Sequence, residues 1–414
     1  MTAVEFCDRT PIENVISSLT TVPDKIIFVG DSKVMKKYDG PFRDFLSGRH
    51  LSTQVVYRPI RRHDLQDIVA VLTDIVEQEK DCVFDLTGGE DLVLVAMGIV
   101  FERYKDRVHL QLQRFNVRNG VVTDVDNDGR VIYTGRPSLQ VWEQIGLHGG
   151  RVRSVCGDEY QTCGWDFGYA FRRDVEQMWQ ICKKDPSAWN AQIGVLGAAA
   201  SLSEWGGLTV CVDPAALEDR IKKSISRPLA EPRIMEELCQ AGLIYDFCYD
   251  EDTYAFTFKN KQIKSCLTKA GMVLELKVLV TAMGLQKEGE PYYTDAVSSV
   301  YIDWDGLLHA RSGEIKDTEN EIDVVLMKGL IPVFISCKNG TLGEDELYKL
   351  DSVTTRFGGQ YAKRVLISGN HGKSGQSLQY FRQRCKDMKI QLIENVYEMS
   401  EKEFTRMIAS LVNN

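Results

Sequence analysis

Short apolar runs alternate with longer amphipathic runs over residues 1–150. Continuous apolar runs predict buried strands, and apolar residues spaced three or four positions apart predict helices. The predicted strands are residues 3–7, 25–30, 54–57, 81–86 and 108–115, and the predicted helices are 12–19, 42–46, 65–78 and 91–104. Strands that alternate with helices form a mostly parallel, doubly wound sheet. In such a sheet, ligands bind beyond the carboxyl ends of the strands.

The pattern changes twice further along the chain. Residues 151–261 contain helical runs and then a helix at 231–241 with two strand-like runs, 243–249 and 254–259. This order resembles half of a winged helix, but most plain helical modules show the same pattern, so we treat the segment as a connector. From residue 262 the predicted order is helix, three strands, helix, strand. We therefore predict an α/β protein with a Rossmann-like domain at 1–150, a helical or winged-like connector at 151–261, and an αβββαβ domain at 262–414.

Composition excludes several classes of protein. The 414 residues are 43% hydrophobic and 26% charged, which is a globular balance and argues against a disordered or fibrous chain. No apolar run approaches the roughly 18 residues that cross a bilayer, and no signal peptide is visible, so we expect a cytoplasmic protein without a membrane partner. The eleven cysteines are scattered without a CxxC pair, which argues against a zinc site or a disulfide framework. The net charge of −9 argues against a general nucleic-acid coat but leaves room for a local basic groove.

Two neighbouring predicted strands near the C-terminus carry ionisable side chains. Asp323 lies in the first strand, and Ser336 and Lys338 lie in the second. A two-residue turn at Lys328-Gly329 would place Asp323 opposite Phe334, and alternation along the strands would then put Asp323, Ser336 and Lys338 on one face. Mg²⁺ or Mn²⁺ would explain a carboxylate and a lysine beside an apolar core, because these ions bind one or two carboxylates together with a substrate phosphate. A cross-strand ion pair on a solvated hairpin would give the same pattern.

Glu275 is the third candidate of this site. It lies within an otherwise apolar helical run, AGMVLEL, so it either faces solvent or points into the site. We expect Glu275 and Asp323 to bind the metal and Lys338 to position water or stabilise charge on the phosphate. Between Lys338 and Lys389 there are ten Lys or Arg and five Asp or Glu, a local excess of positive charge that suits a phosphate backbone and also an ordinary solvated face.

The helix glutamate followed by Asp323 and Lys338 on a hairpin, within an αβββαβ order, resembles the PD-(D/E)xK nuclease fold. This chain departs from the family at Ser336, which stands where the second strand usually carries an acid. The departure implies that metal binding depends more on Asp323, Glu275 and the backbone carbonyl of Cys337, with Ser336 assisting. Glu321 could partly compensate. The stretches 346–352 and 356–360 also resemble this nuclease group, which implies that Tyr348 and Arg356 contact the nucleic-acid backbone.

A second candidate site follows the predicted strand 81–86. Thr87-Gly88-Gly89-Glu90 joins this strand to a helix, and its glycines allow backbone N–H groups to approach an anion closely. The motif is neither a dinucleotide fingerprint nor a Walker loop, and a tight strand-to-helix turn also explains it. Polar residues at the ends of the first two strands could read ribose and base edges or simply cap helices, with Asp8 or Thr10 capping the first one. These residues are Asp8, Thr10, Pro11, Glu13, Asn14, Asp31 and Ser32.

A Rossmann-like domain with a T-G-G turn, joined to a PD-(D/E)xK-like domain, resembles the CARF-domain ancillary nucleases of type III CRISPR systems. The resemblance implies a homodimer that binds cyclic tetra-adenylate on its two-fold axis and is thereby activated as a metal-dependent endonuclease on DNA, RNA or both. A cyclic-oligoadenylate-responsive DNA-binding regulator with a degenerate nuclease domain is the alternative. A third possibility is an N-terminal domain that degrades the cyclic oligonucleotide.

Overall fold

A computed structural model of the chain describes residues 1–126, 128–153, 165–203, 207–221, 229, 231–269, 271–307, 319–340, 342–369 and 374–413. Every candidate site residue lies within these ranges. Residues 154–164 of the predicted connector, residue 270 of a predicted helix and Lys373 of the basic segment lie outside the described residues.

The N-terminal part alternates strands and helices as its hydrophobic pattern predicts. Its elements are β1 (Thr2–Phe6), a 3-10 turn (Glu13–Val15), α1 (Ile16–Thr20), β2 (Lys25–Gly30), α2 (Ser32–Gly48), β3 (Gln54–Pro59), α3 (Leu65–Glu79), β4 (Asp81–Asp85), α4 (Asp91–Tyr104), β5 (His109–Asn116), β6 (Val121–Asp124), β7 (Arg130–Tyr133) and α5 (Val141–Leu147). Within the described residues the strands form one sheet in the order β3-β2-β1-β4-β5-β6-β7, with β1 to β5 parallel. The chain order reverses between β1 and β4, and this switch point is where doubly wound sheets bind ligands.

Two local predictions for this part are wrong. Helix α2 begins at Ser32, ten residues before the predicted start, because the carboxylate of Asp31 accepts hydrogen bonds from the Lys33 and Val34 backbone N–H groups and so caps the helix. The helix continues through Pro41. Neither Asp8 nor Thr10 caps the first helix; Asp8 instead accepts the Thr10 N–H and exchanges two hydrogen bonds with Asn14.

The middle part follows the order of a winged helix. Its elements are β8 (Arg151–Arg153), α6 (Tyr169–Lys184), α7 (Pro186–Leu202), β9 (Thr209–Val212), α8 (Pro214–Ile221), α9 (Pro232–Gln240), β10 (Ile244–Tyr249), β11 (Tyr254–Phe258) and α10 (Lys261–Cys266). Strand β9 joins the predicted hairpin in a sheet of order β10-β11-β9. Strand β8 does not belong to this sheet, because it pairs with a strand of the C-terminal part.

The C-terminal part has the predicted αβββαβ order. Its elements are α11 (Met272–Gly284), the short strands β12 (Gln286–Lys287) and β13 (Glu290–Pro291), β14 (Asp295–Asp303), β15 (Glu319–Lys328), β16 (Ile331–Lys338), α12 (Asp345–Phe357), β17 (Lys363–Ser368), α13 (Gly375–Asp387), β18 (Ile390–Ile393) and α14 (Glu401–Ser410). The main sheet of the described C-terminal residues has the order β18-β17-β16-β15-β14-β8. The predicted fold class is therefore confirmed.

Both faces of this C-terminal sheet are buried. Val324 and Ile335 face a core that also contains α11 and the winged-helix-like part. Val325 and Phe334 face a second core, formed with α12 and with residues of the N-terminal part. The sheet thus lies between the other two parts of the chain and shares a hydrophobic core with each of them.

The β15–β16 hairpin turns at Gly329-Leu330, so the predicted turn at Lys328-Gly329 is wrong. Gly329 has φ +61°, as at the first central position of a type II′ turn, where glycine is favoured. Val325 therefore pairs with Phe334, and the predicted pairing of Asp323 with Phe334 is off by two residues. A shift of two residues leaves every side chain on the same face.

No helix among the described residues is long and apolar enough to span a membrane.

Candidate active site and ligand cavity

Asp323, Ser336 and Lys338 converge on one face of the β15–β16 hairpin. Oδ2 of Asp323 accepts hydrogen bonds from the Ser336 hydroxyl at 3.0 Å and from the Cys337 backbone N–H at 2.7 Å. The Lys338 ammonium lies 3.6 Å from the same oxygen. Asp323 is only 7% exposed, so its charge is held by these contacts and not by bulk water.

Glu346 of α12 joins this group, although the pattern of the sequence did not indicate it. Its Oε1 accepts a hydrogen bond from the Ser336 hydroxyl at 2.7 Å, and its Oε2 lies 3.2 Å from Lys338 Nζ. Burial disfavours the charged form of Lys338, but the carboxylates of Asp323 and Glu346 outweigh burial and raise the pKa of the ammonium. Lys338 is therefore a fixed positive charge between two carboxylates.

Glu275 approaches the cluster from α11, in the first turn of that helix. Burial raises the pKa of its carboxyl group, and the charges of Asp323 and Glu321 raise it further. Its Oε2 is buried and has no hydrogen-bond partner in the structure. Of the two sequence-level alternatives for Glu275, the structure therefore places it inside and not on a solvent-facing stripe.

These donors suit a hard divalent cation. The available groups are carboxylate oxygens and a hydroxyl, which Mg²⁺ and Mn²⁺ prefer over nitrogen or sulfur ligands. The unpartnered buried oxygen of Glu275 is a group that a cation would satisfy. No three His, Cys, Asp or Glu residues within the described ranges are already arranged around one metal position. A site of two carboxylates completed by substrate phosphate and water remains compatible with the donors, as is usual for Mg²⁺.

Tyr348 and Arg356 are not part of this cluster. Tyr348 is half exposed on α12, and its hydroxyl accepts a hydrogen bond from Arg384 at 2.9 Å. Arg356 lies at the opposite end of α12 from Glu346, where it contacts the Trp304 carbonyl and lines a cavity of about 620 Å³ next to α2 and α5. Tyr348 could still contact a bound strand at the rim, but Arg356 could do so only far from Lys338.

A polar cavity of about 570 Å³ lies at the switch point between β1 and β4. Six predicted residues line it: Asp8, Thr10, Glu13, Thr87, Gly88 and Gly89. The structure does not bring the other five to its wall. Pro11 and Asn14 are buried. Asp31 and Ser32 lie at the start of α2, after strand β2. Glu90 forms an ion pair with Arg62.

Hydrogen bonds from neighbouring strands hold the T-G-G turn in place. The Thr87 N–H donates to Asp85 at 2.7 Å, and the Thr87 hydroxyl accepts the Phe115 N–H at 2.9 Å. Asp85 also accepts a hydrogen bond from Ser17 at 2.9 Å. These contacts hold the loop in place, while Gly88 keeps the cavity open, because a Cβ there would lie 2.8 Å from Glu13 Oε2.

Glu13 connects this cavity to the C-terminal part. Gln360, which follows α12, lines the cavity and donates a hydrogen bond from Nε2 to Glu13 Oε1 at 2.5 Å. Burial and the nearby Asp8 carboxylate raise the pKa of Glu13 to about 7, while a hydrogen bond with Tyr361 opposes the shift. The raised pKa keeps much of Glu13 neutral near neutral pH, which favours an anionic ligand beside it.

Arg114 supplies the positive charge of this region. It lines both this cavity and a neighbouring one of about 470 Å³, which adds Arg118 and Tyr361. Arg114, Gln360 and Glu346 were not predicted as site residues. Arg114 lies between buried residues on β5, the strand after the T-G-G turn, and this pattern could have indicated it. Gln360 and Glu346 lie far from the N-terminal site residues in the sequence.

No protein-family model matches this chain. No curated protein matches it either. Solved structures do match. The crystal structure of protein VC1899 from Vibrio cholerae is 20% identical, covers 100% of this chain and 97% of its own, and has a TM-score of 0.71.

A second match is the structure of Can2 from Sulfobacillus thermosulfidooxidans in complex with cyclic tetra-adenylate. It is 17% identical, covers 100% of this chain and 99% of its own, and has a TM-score of 0.66. At these identities the matches establish the fold. They cover the whole chain and confirm the predicted α/β fold class.

Proposed function

We propose that this chain is a metal-dependent endonuclease of type III CRISPR antiviral defence. In this proposal two copies form a homodimer, cyclic tetra-adenylate binds between their N-terminal domains, and the C-terminal domains then cleave DNA, RNA or both. The observation that carries it is the position of Lys338 on the hairpin of an αβββαβ domain, between the Asp323 and Glu346 carboxylates and within the electrostatic influence of Glu275.

The side chains of the cluster have distinct tasks in a phosphodiester hydrolysis. When bound, a divalent cation polarises the phosphate and lowers the pKa of an attacking water. Lys338 is held charged by its two carboxylates, so it can stabilise the negative charge that develops on the phosphate. Asp323 is fixed by the Cys337 N–H and the Ser336 hydroxyl, which orient its carboxylate before substrate arrives. Such preorganisation lowers the cost of reaching the transition state.

The N-terminal cavity supports an anionic, nucleotide-like activator. It lies at the switch point of a doubly wound sheet and is lined by Arg114, by Gly88 and Gly89 of the T-G-G turn, and by Glu13, whose pKa burial raises to about 7. Can2, which has the same fold over its full length, was solved with cyclic tetra-adenylate. A ring-shaped symmetric ligand suits the two-fold axis of a homodimer, because an isologous interface presents the same residues twice.

Gln360 offers a direct route from activator to nuclease site. It lines the activator cavity, and it follows α12, the helix whose first turn carries Glu346. A ligand that binds the Gln360 side chain in place of Glu13 would therefore act on the helix that holds one side of the active site. A ligand shifts a conformational equilibrium only through such differential contacts.

We expect Gln360→Ala to uncouple activator binding from cleavage. The variant should bind cyclic tetra-adenylate nearly as the wild type does, but its cleavage at saturating activator should fall about tenfold, which is a typical allosteric coupling. Calorimetry measures the binding, and a fluorescent-reporter assay measures the cleavage. Gln376→Ala is the matched control, because Gln376 is an exposed glutamine of α13 that contacts Tyr380. Wild-type cleavage by Gln360→Ala would show that the signal takes another route.

The function itself is tested by omission of each component. Labelled single- and double-stranded DNA and RNA are incubated with the full chain, with or without each cyclic oligoadenylate, in Mn²⁺ or in EDTA. We expect cleavage only when cyclic tetra-adenylate and Mn²⁺ are both present. Cleavage in EDTA would refute the metal-dependent mechanism, and cleavage of equal rate without any cyclic oligoadenylate would refute activation.

The alternative of a DNA-binding regulator is disfavoured by the charge of the winged-helix-like part. The tip of its hairpin carries the exposed acids Asp250, Glu251 and Asp252. Helix α9 carries Glu236 and Glu237 against a single basic residue, Arg233. A surface of this sign repels phosphates, whereas DNA-binding modules place Lys or Arg there.

A further inference from the structure

We propose that Glu346 of α12 provides the second carboxylate of the divalent-cation site, in the place that Ser336 leaves vacant on β16. The inference rests on the proposed nuclease function and specifies its metal site more closely. It assigns the missing acid to a helix that packs on the sheet, where the usual pattern would place it on the strand.

The contacts of Ser336 favour a cation between Asp323 and Glu346. The hydroxyl of Ser336 lies 3.0 Å from Asp323 Oδ2 and 2.7 Å from Glu346 Oε1. A serine hydroxyl has one proton, so it can donate to only one of these two carboxylates at a time. The other carboxylate oxygen then faces the lone pairs of the hydroxyl. A cation bound by Asp323 and Glu346 would remove this conflict.

The charges of Asp323 and Glu346 are not balanced within the cluster. Both carboxylates lie within hydrogen-bond distance of one hydroxyl, that of Ser336. Lys338 is the ammonium that contacts both of them, at 3.6 Å from Asp323 and 3.2 Å from Glu346. One lysine carries a single positive charge, so two carboxylates beside it leave a net negative charge in a partly buried site.

Glu275 gives an observation that is independent of Glu346. Its Oε2 atom is buried and has no hydrogen-bond partner in the structure. A buried carboxylate oxygen without a donor is rare in folded proteins and requires an explanation. A cation beside Asp323 supplies one.

The position of Glu346 on its helix also separates it from its acidic neighbours. Glu346 lies one turn before Leu350, which is buried against the sheet, so its side chain points toward β16. Asp345 is exposed, and Glu344 forms an ion pair with Arg384. Of these three acids at the start of α12, Glu346 is therefore the one that faces Ser336.

The test measures Mn²⁺ binding to the full-length protein by calorimetry or by the electron paramagnetic resonance of free Mn²⁺, without nucleic acid. Glu346→Gln keeps the size and the acceptor oxygen but removes the charge, and we expect its Mn²⁺ affinity to fall by about tenfold or more. Asp345→Asn is the control, with one charge lost in the same helical turn and no expected change. Asp323→Asn should lose Mn²⁺ affinity as well.

A rescue variant separates metal binding from simple damage. Ser336→Asp in the Glu346→Gln background restores a carboxylate at the strand position, and recovery of Mn²⁺ binding supports the assignment. If Glu346→Gln does not fold, Glu346→Asp replaces it, and weakened Mn²⁺ binding in that variant has the same meaning. Wild-type Mn²⁺ affinity in the tested Glu346 variant overturns the assignment, whether or not cleavage is lost. Wild-type affinity and cleavage in Asp323→Asn would overturn the nuclease function instead.

Discussion

Replacement of Asp323 or Lys338 by alanine is expected to abolish nucleic-acid cleavage and to leave cyclic tetra-adenylate binding unchanged. Asp323→Ala removes the carboxylate that the Ser336 hydroxyl and the Cys337 N–H orient. Lys338→Ala removes the ammonium that is held between Asp323 and Glu346. Loss of one such preorganised group costs roughly a hundredfold to a thousandfold in rate. Single-turnover cleavage of a labelled substrate at saturating activator measures the effect.

Two controls distinguish a chemical effect from unfolding. Lys402→Ala removes an exposed lysine from α14 and should cleave at the wild-type rate. Thermal unfolding of Asp323→Ala shows whether the buried site tolerates the loss, because the Cys337 N–H is then left without an acceptor, at a cost of about 1–3 kcal/mol. Full activity in either active-site variant would exclude the proposed roles of these side chains.

Replacement of Gly88 by leucine is expected to weaken activator binding and cleavage together. A Cβ at this position would lie 2.8 Å from Oε2 and 3.4 Å from Cβ of Glu13, so a larger side chain must displace Glu13 and fill the cavity. We expect the affinity for cyclic tetra-adenylate to fall about a hundredfold, or about 2.7 kcal/mol. Cleavage at limiting activator should fall in parallel, whereas Mn²⁺ binding at the distant active site should not change.

The matched control is a glycine in the helix that directly follows the T-G-G turn. Gly98 is an exposed glycine of α4, and a Cβ there meets nothing within 4 Å. Gly98→Leu should bind the activator and cleave as the wild type does. Thr87→Ala should also weaken activation, because the Phe115 N–H loses its acceptor. Wild-type activation of Gly88→Leu would place the ligand elsewhere on the chain.

Regular secondary structure was largely predictable because strands and helices repeat their hydrophobic pattern locally. The bounds of β2 and α4 agree with the prediction residue for residue. Helix α2 was underestimated because its first half is polar, and only the cap at Asp31 reveals where it begins. The position of β8 was not predictable, since its pairing partner β14 lies about 150 residues away in the sequence.

The active-site face was predictable even though its register was not. Asp323, Ser336 and Lys338 share a face under any register that differs by an even number of residues, so the error at the turn did not separate them. Glu346 was not predicted as a site residue because a glutamate in the first turn of a helix is common: its charge interacts favourably with the helix dipole. Its contact with Ser336 exists only once α12 packs on the sheet.

The ligand cavity was predictable to the extent that it follows strand ends. Asp8 and Thr87 follow the neighbouring strands β1 and β4, so both lie at the switch point. Asp31 follows β2, on the other side of β1, and its carboxylate is used to cap α2. The order of strands in the sheet decides between these positions, and a single sequence does not contain that order.

The pairing of β8 with β14 limits how the signal can be transmitted. Arg153 pairs with Tyr301, so the chain that leaves the first domain is at once part of the C-terminal sheet, and the two also share a hydrophobic core. A hinge motion between the two domains of one subunit would break the pairing of β8 with β14 and would expose that shared core to water. In the proposed homodimer we therefore expect each subunit to move as one nearly rigid unit, so that a bound ring of adenylates would reorient whole subunits about their common axis. Helix α12 would then make the smaller adjustment at the active site.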